Sequence, residues 1–417
     1  MTTVDVASVL DEGSWSRYQK LLVAGTALAV ILDGMDNQLL GNVIPALMRE
    51  WSLPRAPFTA VLALGPLGMI VGGTLGGVLG DRIGRRTALV CSVLAFAVPT
   101  LAIAAVDGVR MLGVFRFLAG LGLGGAMPNA AALASEYVPR RHRPFAVTLT
   151  IVCIPFGGTV AALLAGQVVP AYGWRTLFIV GGVIPIVIGL VLFALLPESP
   201  HYLAMKQDTA APKPSPRDLF APEWRRDTLG LCGAFFFCLL AIYVGFSWIV
   251  AMLTGAGFTQ VDASSALAAF NFGGVGGAII GALVIQRFGS RVTLLGMSAL
   301  AVVFALAMTT MTLKPPIAVG VVAMFAVTGG LLNAVQTTMY ALAAHVYPTA
   351  IRGTGVGTAV AVGRVGNVAA SYVGAFALDA GGTAAFFTTW AVAMALVFGS
   401  LALVRRHIHV AGVPSQV

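Results

Sequence analysis

Of the chain's 417 residues, 58% are apolar and only 10% are charged, where a water-soluble domain carries about a quarter charged residues. With a mean hydropathy of +0.91, a soluble fold is excluded. Twenty-five Lys and Arg against sixteen Asp and Glu leave a net charge of +9, yet these cations sit in short clusters between long apolar runs, which marks membrane orientation and excludes a nucleic-acid-binding face.

The opening stretch, MTTVDVASVLDEGSW, is polar and mildly acidic, with no basic run before an apolar segment and no small-residue cleavage site, so an uncleaved cytosolic tail is expected over 1–20. A spanning helix needs about 20 mostly apolar residues at a rise of about 1.5 Å each. Twelve such runs follow in order. They are Leu21 to Leu47, Phe58 to Leu79, Thr87 to Val106, Val109 to Tyr137, Phe145 to Val169 and Leu177 to Leu196, then Thr228 to Leu253, Ala263 to Ile285, Val292 to Leu313, Ile317 to Val346, Thr354 to Leu378 and Ala384 to Val404. Pro45, Pro66, Pro99, Pro128, Pro155 and Pro185 fall inside these runs and are read as kinks, because neighbouring helices satisfy the freed carbonyls.

The polar, proline-rich stretch 197–227 reads as a cytosolic linker between two six-helix bundles, 21–196 and 228–404, with 405–417 as a cytosolic tail. Placing both ends in the cytosol puts 18 of the 25 cations on that side, five outside (Arg49, Arg55, Arg110, Arg175, Lys314) and two within spans (Arg116, Arg364), as the positive-inside rule requires. The halves also echo each other. Gly120, Pro139 and Arg143 match Gly329, Pro348 and Arg352 at an offset of 209, and Arg82, Gly84 and Arg86 match Arg287, Gly289 and Arg291 at an offset of 205. The predicted fold is an all-α membrane protein of twelve transmembrane helices with pseudo-twofold symmetry, the signature of a transporter whose halves rock about a central site.

The stretch from Gly76 to Arg86, GGVLGDRIGRR, resembles the signature loop between the second and third spans of the major facilitator superfamily, and its degenerate second copy, Gln286 to Arg291, falls at the matching place with Gln286 replacing the acid. Pro197-Glu198-Ser199-Pro200 is similar to that family as well. Three further stretches resemble its aromatic acid:proton symporter branch: Leu32 to Asp36, Arg116 to Gly124 running on to Pro128-Asn129, and Tyr347 to Gly357 followed by Gly363 to Gly366. One departure is plain: Asn37-Gln38 stand where the branch commonly has small or apolar residues.

Of the sixteen acids only Asp33 and Asp36 lie deep in a span. A carboxylate in hydrocarbon is costly, so such residues face the bundle interior and mark proton or ion sites. Three residues apart, the two share a helix face with Asn37 and Leu40. Both are proton-coupling candidates, Arg116 being expected to hold one ionised while the other takes and gives the proton; the plainer alternative is a static pair tying the first span to the fourth. Arg364 lies about 15 Å into the eleventh span, near the midplane, where its planar fork suits a carboxylate; the alternative is a hydrogen bond to carbonyls or to Asn333 or Gln336. The predicted substrate-binding set is Arg116, Arg364, Asn271, Asn333, Gln336 and Tyr340.

Asp81, Arg82, Gly84, Arg85 and Arg86, with Glu136 and Arg143 on the neighbouring loop, are read as a gating latch of breakable charge pairs. Tyr243, Phe246, Trp248, Phe270, Phe272, Tyr340 and Tyr372 are read as packing aromatics before a ring cage, and His345 as an interfacial side chain. The cysteines Cys91, Cys153, Cys232 and Cys238 have neither redox nor zinc spacing. No metal or other cofactor is expected, the proton being the coupling ion, and no nucleophile or paired base points to an enzyme. The expected function is proton-coupled import, by a monomer in the bacterial inner membrane, of a small organic anion that the resemblance makes an aromatic carboxylate. A sugar acid or dicarboxylate is the competing substrate, and a drug:proton antiporter a more distant alternative.

Overall fold

The computed structural model describes residues 17–138, 143–196, 198 and 219–408. Among them are ten α-helices: α1 (Arg17–Glu50), α2 (Ala56–Ile83), α3 (Arg85–Ile103), α4 (Val109–Tyr137), α5 (Arg143–Tyr172), α6 (Trp174–Leu195), α7 (Arg225–Gly255), α8 (Gln260–Thr309), α9 (Val319–Val346) and α10 (Thr349–Leu403). Two of these are too long for one crossing and are broken inside, α8 at Gly289 and α10 at Gly381 and Gly382. The interior prolines leave the helices continuous.

Nine of the ten helices are long and apolar enough to cross a bilayer; the exception is α1, which carries Asp33, Asp36, Asn37, Gln38 and Asn42 along one stretch. Large apolar side chains such as Leu75, Val187, Leu283 and Phe376 are exposed on the surface, an arrangement suited to lipid rather than water. The chain is an integral membrane protein.

Helices α1 to α6 pack mainly on one another, as do α7 to α10; the two sets meet where α8 lies on α5, α10 on α2 and α1 on α7. In the second set Trp390 stacks on Phe270 with ring centres 5.3 Å apart and donates its indole N–H to the Ala241 carbonyl at 2.8 Å. These rings fill the core. Phe272 and Tyr372 are exposed instead, so four of the seven aromatics singled out in the sequence (Trp248, Phe270, Phe272 and Tyr372) lie away from the cavity described below.

The turn between α2 and α3 is made by Gly84, whose φ of 98° suits a residue without Cβ. The Glu198 carboxylate occupies the place a Cβ would take there, and it accepts from the Arg86 backbone N–H at 3.0 Å and from the Thr87 hydroxyl at 3.2 Å. The acid thus caps a helix N-terminus, where backbone N–H groups are otherwise orphaned. The break in α8 repeats the arrangement with neutral groups: Gly289 has φ 74°, and Ser290 exchanges hydrogen bonds with Ile408, its backbone N–H donating at 2.9 Å and its hydroxyl accepting at 2.7 Å.

Candidate functional site

The central feature is a cavity of about 400 Å³ between the two helix sets, within the size range of small-molecule sites, about 300–1,000 Å³. Its wall is largely apolar, with Ile154, Pro155, Leu239, Phe246 and Val360 among the lining residues. Into it converge a few polar side chains: Asp33 and Asn37 from α1, Tyr243 from α7, Asn333, Gln336 and Tyr340 from α9, and Arg364 and Asn367 from α10. Met127, Pro128 and Ala131 near the end of α4, with Gly357 near the start of α10, carry the lining toward the end of the molecule that holds the α2–α3 turn.

The two aspartates have opposite surroundings. Asp36 is fully buried and saturated, accepting from Arg116 at 3.0 Å and from the Thr100 hydroxyl. Arg116 is spent on the same helix, since it also donates to the backbone carbonyls of Asp36 at 3.2 Å and Asn37 at 2.9 Å. Asp33, one helical turn away, lines the cavity, and among the described residues no hydrogen bond or ion pair reaches it. A buried carboxylate without a partner is the costly kind.

Arg364 reaches the cavity from the opposite set. Its Nη1 donates to the Met69 carbonyl of α2 at 2.6 Å. Nε and Nη2 have no protein partner among the described residues, so donors remain for a ligand. Asn333 keeps one amide hydrogen on its own helix, donating to the Gly329 carbonyl at 2.9 Å.

The end away from the α2–α3 turn is closed by contacts between the two sets. Gln38 and Asn271 exchange two hydrogen bonds, at 2.9 and 2.8 Å, in the buried interior, and Gly158 leaves the space they occupy. Asn37 donates to the Tyr243 hydroxyl at 3.0 Å, and Gln260 donates to the Asn42 carbonyl at 2.9 Å. Arg55 pairs with Asp379 and lies over the Trp248 ring.

The structure therefore gathers Asp33, Arg364, Asn333, Gln336 and Tyr340 around one cavity and leaves three predicted residues outside its wall. Asp36 and Arg116 stand behind it as a buried pair, and Asn271 is consumed by Gln38. In the predicted latch, the side chains of Asp81, Glu136 and Arg143 lie outside the described residues. Arg86 is held through its guanidinium by the Phe193 carbonyl as well as through its backbone by Glu198. Asn367 and Thr100 were not singled out in the sequence, Tyr243 was named there only as a packing aromatic and Glu198 only as part of a family stretch. Their only local signal is a polar group in or beside an apolar run, which does not distinguish a cavity wall from a hydrogen-bonded interior.

A mostly apolar cavity with a free acid and a cation, set between two groups of membrane-crossing helices, is the arrangement of a secondary transporter and not of an enzyme. The chain belongs to the Major Facilitator Superfamily, whose family model matches residues 26–334. Within it, the chain is similar to aromatic acid transporters. It is 32% identical over 408 residues to the 4-hydroxybenzoate transporter PcaK of Pseudomonas putida, spanning 91% of this chain and 90% of that one. It is 30% identical over 406 residues to the gallate transporter of the same organism, at the same coverage. The fold matches the crystal structure of a D-xylose-proton symporter with a TM-score of 0.72 at 19% identity, over 93% of this chain and 98% of that one.

Proposed function

We propose that the protein carries a small aromatic carboxylate into the cell together with protons, its two six-helix bundles, 21–196 and 228–404, exposing the cavity to either side of the membrane in turn. Counted with the breaks in α8 and α10, the chain makes twelve spans, works as a monomer in the bacterial inner membrane and keeps both ends in the cytosol. The side of the α2–α3 turn is then cytosolic, the cavity is open inward, and the Gln38–Asn271 and Arg55–Asp379 contacts close the outside.

One observation carries this reading: Asp33, without a hydrogen-bond partner among the described residues, and Arg364, with donors to spare, line one cavity. The arginine suits a carboxylate because its planar donors match two oxygens. The apolar wall with Phe246, Tyr243 and Tyr340 suits a ring. Asp33 suits the proton. Importing a monoanion against an inside-negative potential costs about 2.3 kcal/mol per 100 mV, and one co-transported proton cancels that charge. The names of the similar transporters support the aromatic class. Asp36 and Arg116 serve in this scheme as the fixed support that orients α1, and the proton is the coupling ion.

Purified protein in liposomes tests the proposal. With an inward-directed pH gradient, labelled 4-hydroxybenzoate should accumulate, and collapse of the gradient with a protonophore should release it. Accumulation indifferent to the gradient overturns the coupling. Preferential accumulation of a sugar acid or a dicarboxylate overturns the aromatic assignment and leaves the coupling standing.

A further inference from the structure

We propose that Gly73 is a positioning residue of the substrate site: its missing side chain lets the Arg364 guanidinium lie against α2 and rest on the Met69 carbonyl while its remaining donors face the cavity. This rests on Arg364 being the carboxylate-binding group. The geometry is specific. A Cβ built on Gly73 falls 2.4 Å from Arg364 Nη1 and 3.4 Å from the guanidinium carbon, with the Gly124 carbonyl at 3.3 Å. The first distance is inside van der Waals contact, and the atom met is the tip of a flexible side chain, so an added methyl moves the guanidinium and leaves the helices in place. Met69 lies four residues earlier on the same helix face, so the carbonyl that holds the arginine and the gap that admits it are one feature of α2.

The arrangement has a chemical purpose. A guanidinium on the end of a long side chain has much rotamer freedom to lose, and ordering such a chain at the moment of binding weakens affinity. The Met69 carbonyl fixes one nitrogen beforehand. The bond also crosses between the two helix sets, so the anion site is complete only while α2 and α10 lie together. Rocking the halves apart on this seam separates the guanidinium from its support.

A double-mutant cycle tests this on the full-length protein, with binding of 4-hydroxybenzoate measured by calorimetry in detergent. Gly73→Ala is expected to weaken binding about tenfold in the wild-type background and less than twofold in Arg364→Lys, where no guanidinium remains to be displaced. Equal weakening in both backgrounds overturns the proposal and assigns the effect to α2–α4 packing against Gly124. Absence of acid binding by the wild type overturns the underlying reading as well, so the two failures are distinct.

A second measurement needs no substitution at Gly73. Met69-Ile70 is the only Met-Ile pair in the chain, so ¹³C-carbonyl methionine with ¹⁵N-isoleucine isolates the Met69 carbonyl in a spectrum. That resonance should shift on Arg364→Lys and stay nearly unmoved when 4-hydroxybenzoate is added to the wild type. A resonance indifferent to Arg364→Lys overturns the proposal, and so does one that moves on acid binding as far as it does in the lysine variant.

Discussion

Asp33 and Asp36 differ by one helical turn and by almost everything else. Asp36 has a guanidinium, a hydroxyl and no solvent; Asp33 has a cavity and, among the described residues, no partner. The same residue type on the same helix face is a paired tie in one place and an unpaired acid facing the cavity in the other. The difference lies wholly in what the neighbouring helices bring. A buried charge fully paired is a fixed part of the fold, whereas a buried charge left single can change state.

Exchange of each acid for its amide separates the two roles most sharply. Asp33→Asn should abolish gradient-driven accumulation, a loss of a hundredfold or more in liposome uptake, while exchange of internal for external acid and the melting temperature stay close to wild type. Asp36→Asn should act on stability first, because it strands Arg116 among buried groups. Removing one partner of a buried pair costs on the order of 3 kcal/mol, visible as a lower melting temperature in detergent. If Asp36→Asn melts normally and loses only coupling, the contrast between the two sites collapses.

The contrast extends to the amides beside them, where Asn37 lines the cavity and Gln38 turns away to Asn271. Gln38→Leu should weaken the outer closure and raise labelling of Thr337→Cys by a membrane-impermeant maleimide from outside roughly several-fold, with the range of acids transported unchanged. A changed substrate range without changed labelling would make Gln38 a specificity residue instead.

The smallest effect belongs at the surface. Arg175 and then the Trp174 indole hold Glu50 below the usual glutamate range. A depressed carboxylate stabilises the fold above its unfolded titration and loses that contribution as pH falls through the folded one. Because the group is exposed, Glu50→Gln should lower stability by about 1 kcal/mol or less at neutral pH, a difference that vanishes in acid. A deficit persisting unchanged below that range would point to packing of Trp174 and not to charge.

Much of this was legible in the sequence, for reasons that differ by element. Apolar runs name membrane helices because hydrocarbon admits little else, and α2, α4 and α9 fall close to the expected bounds. Asp33, Arg364, Asn333, Gln336 and Tyr340 were legible because a polar group in a span must have a purpose. Which aspartate Arg116 would take was not: helical rise puts both within reach, and the choice depends on Thr100 and on how α4 rotates against α1. The pairing of Asn271, expected among the substrate-binding residues, was not legible for a similar reason. Its partner, Gln38, is 233 residues away, and no local pattern reports such a pairing. Gly73 and the Met69 carbonyl were beyond reach, since backbone acceptors and missing side chains carry no chemical label.

The helix least able to enter a bilayer alone is α1, the same helix that brings both acids to the centre. Among the described residues, its polar stripe is sheltered mainly by groups that come later in the chain: Thr100 on α3, Arg116 on α4, Tyr243 on α7 and Asn271 on α8. During synthesis these are not yet in place. Until those partners emerge the uncovered stripe is costly in hydrocarbon, which makes α1 the least favourable helix to place there. Raising its hydrophobicity would make it easier to place, and each polar group so removed would take from the finished protein a tie between helices or a side chain facing the cavity.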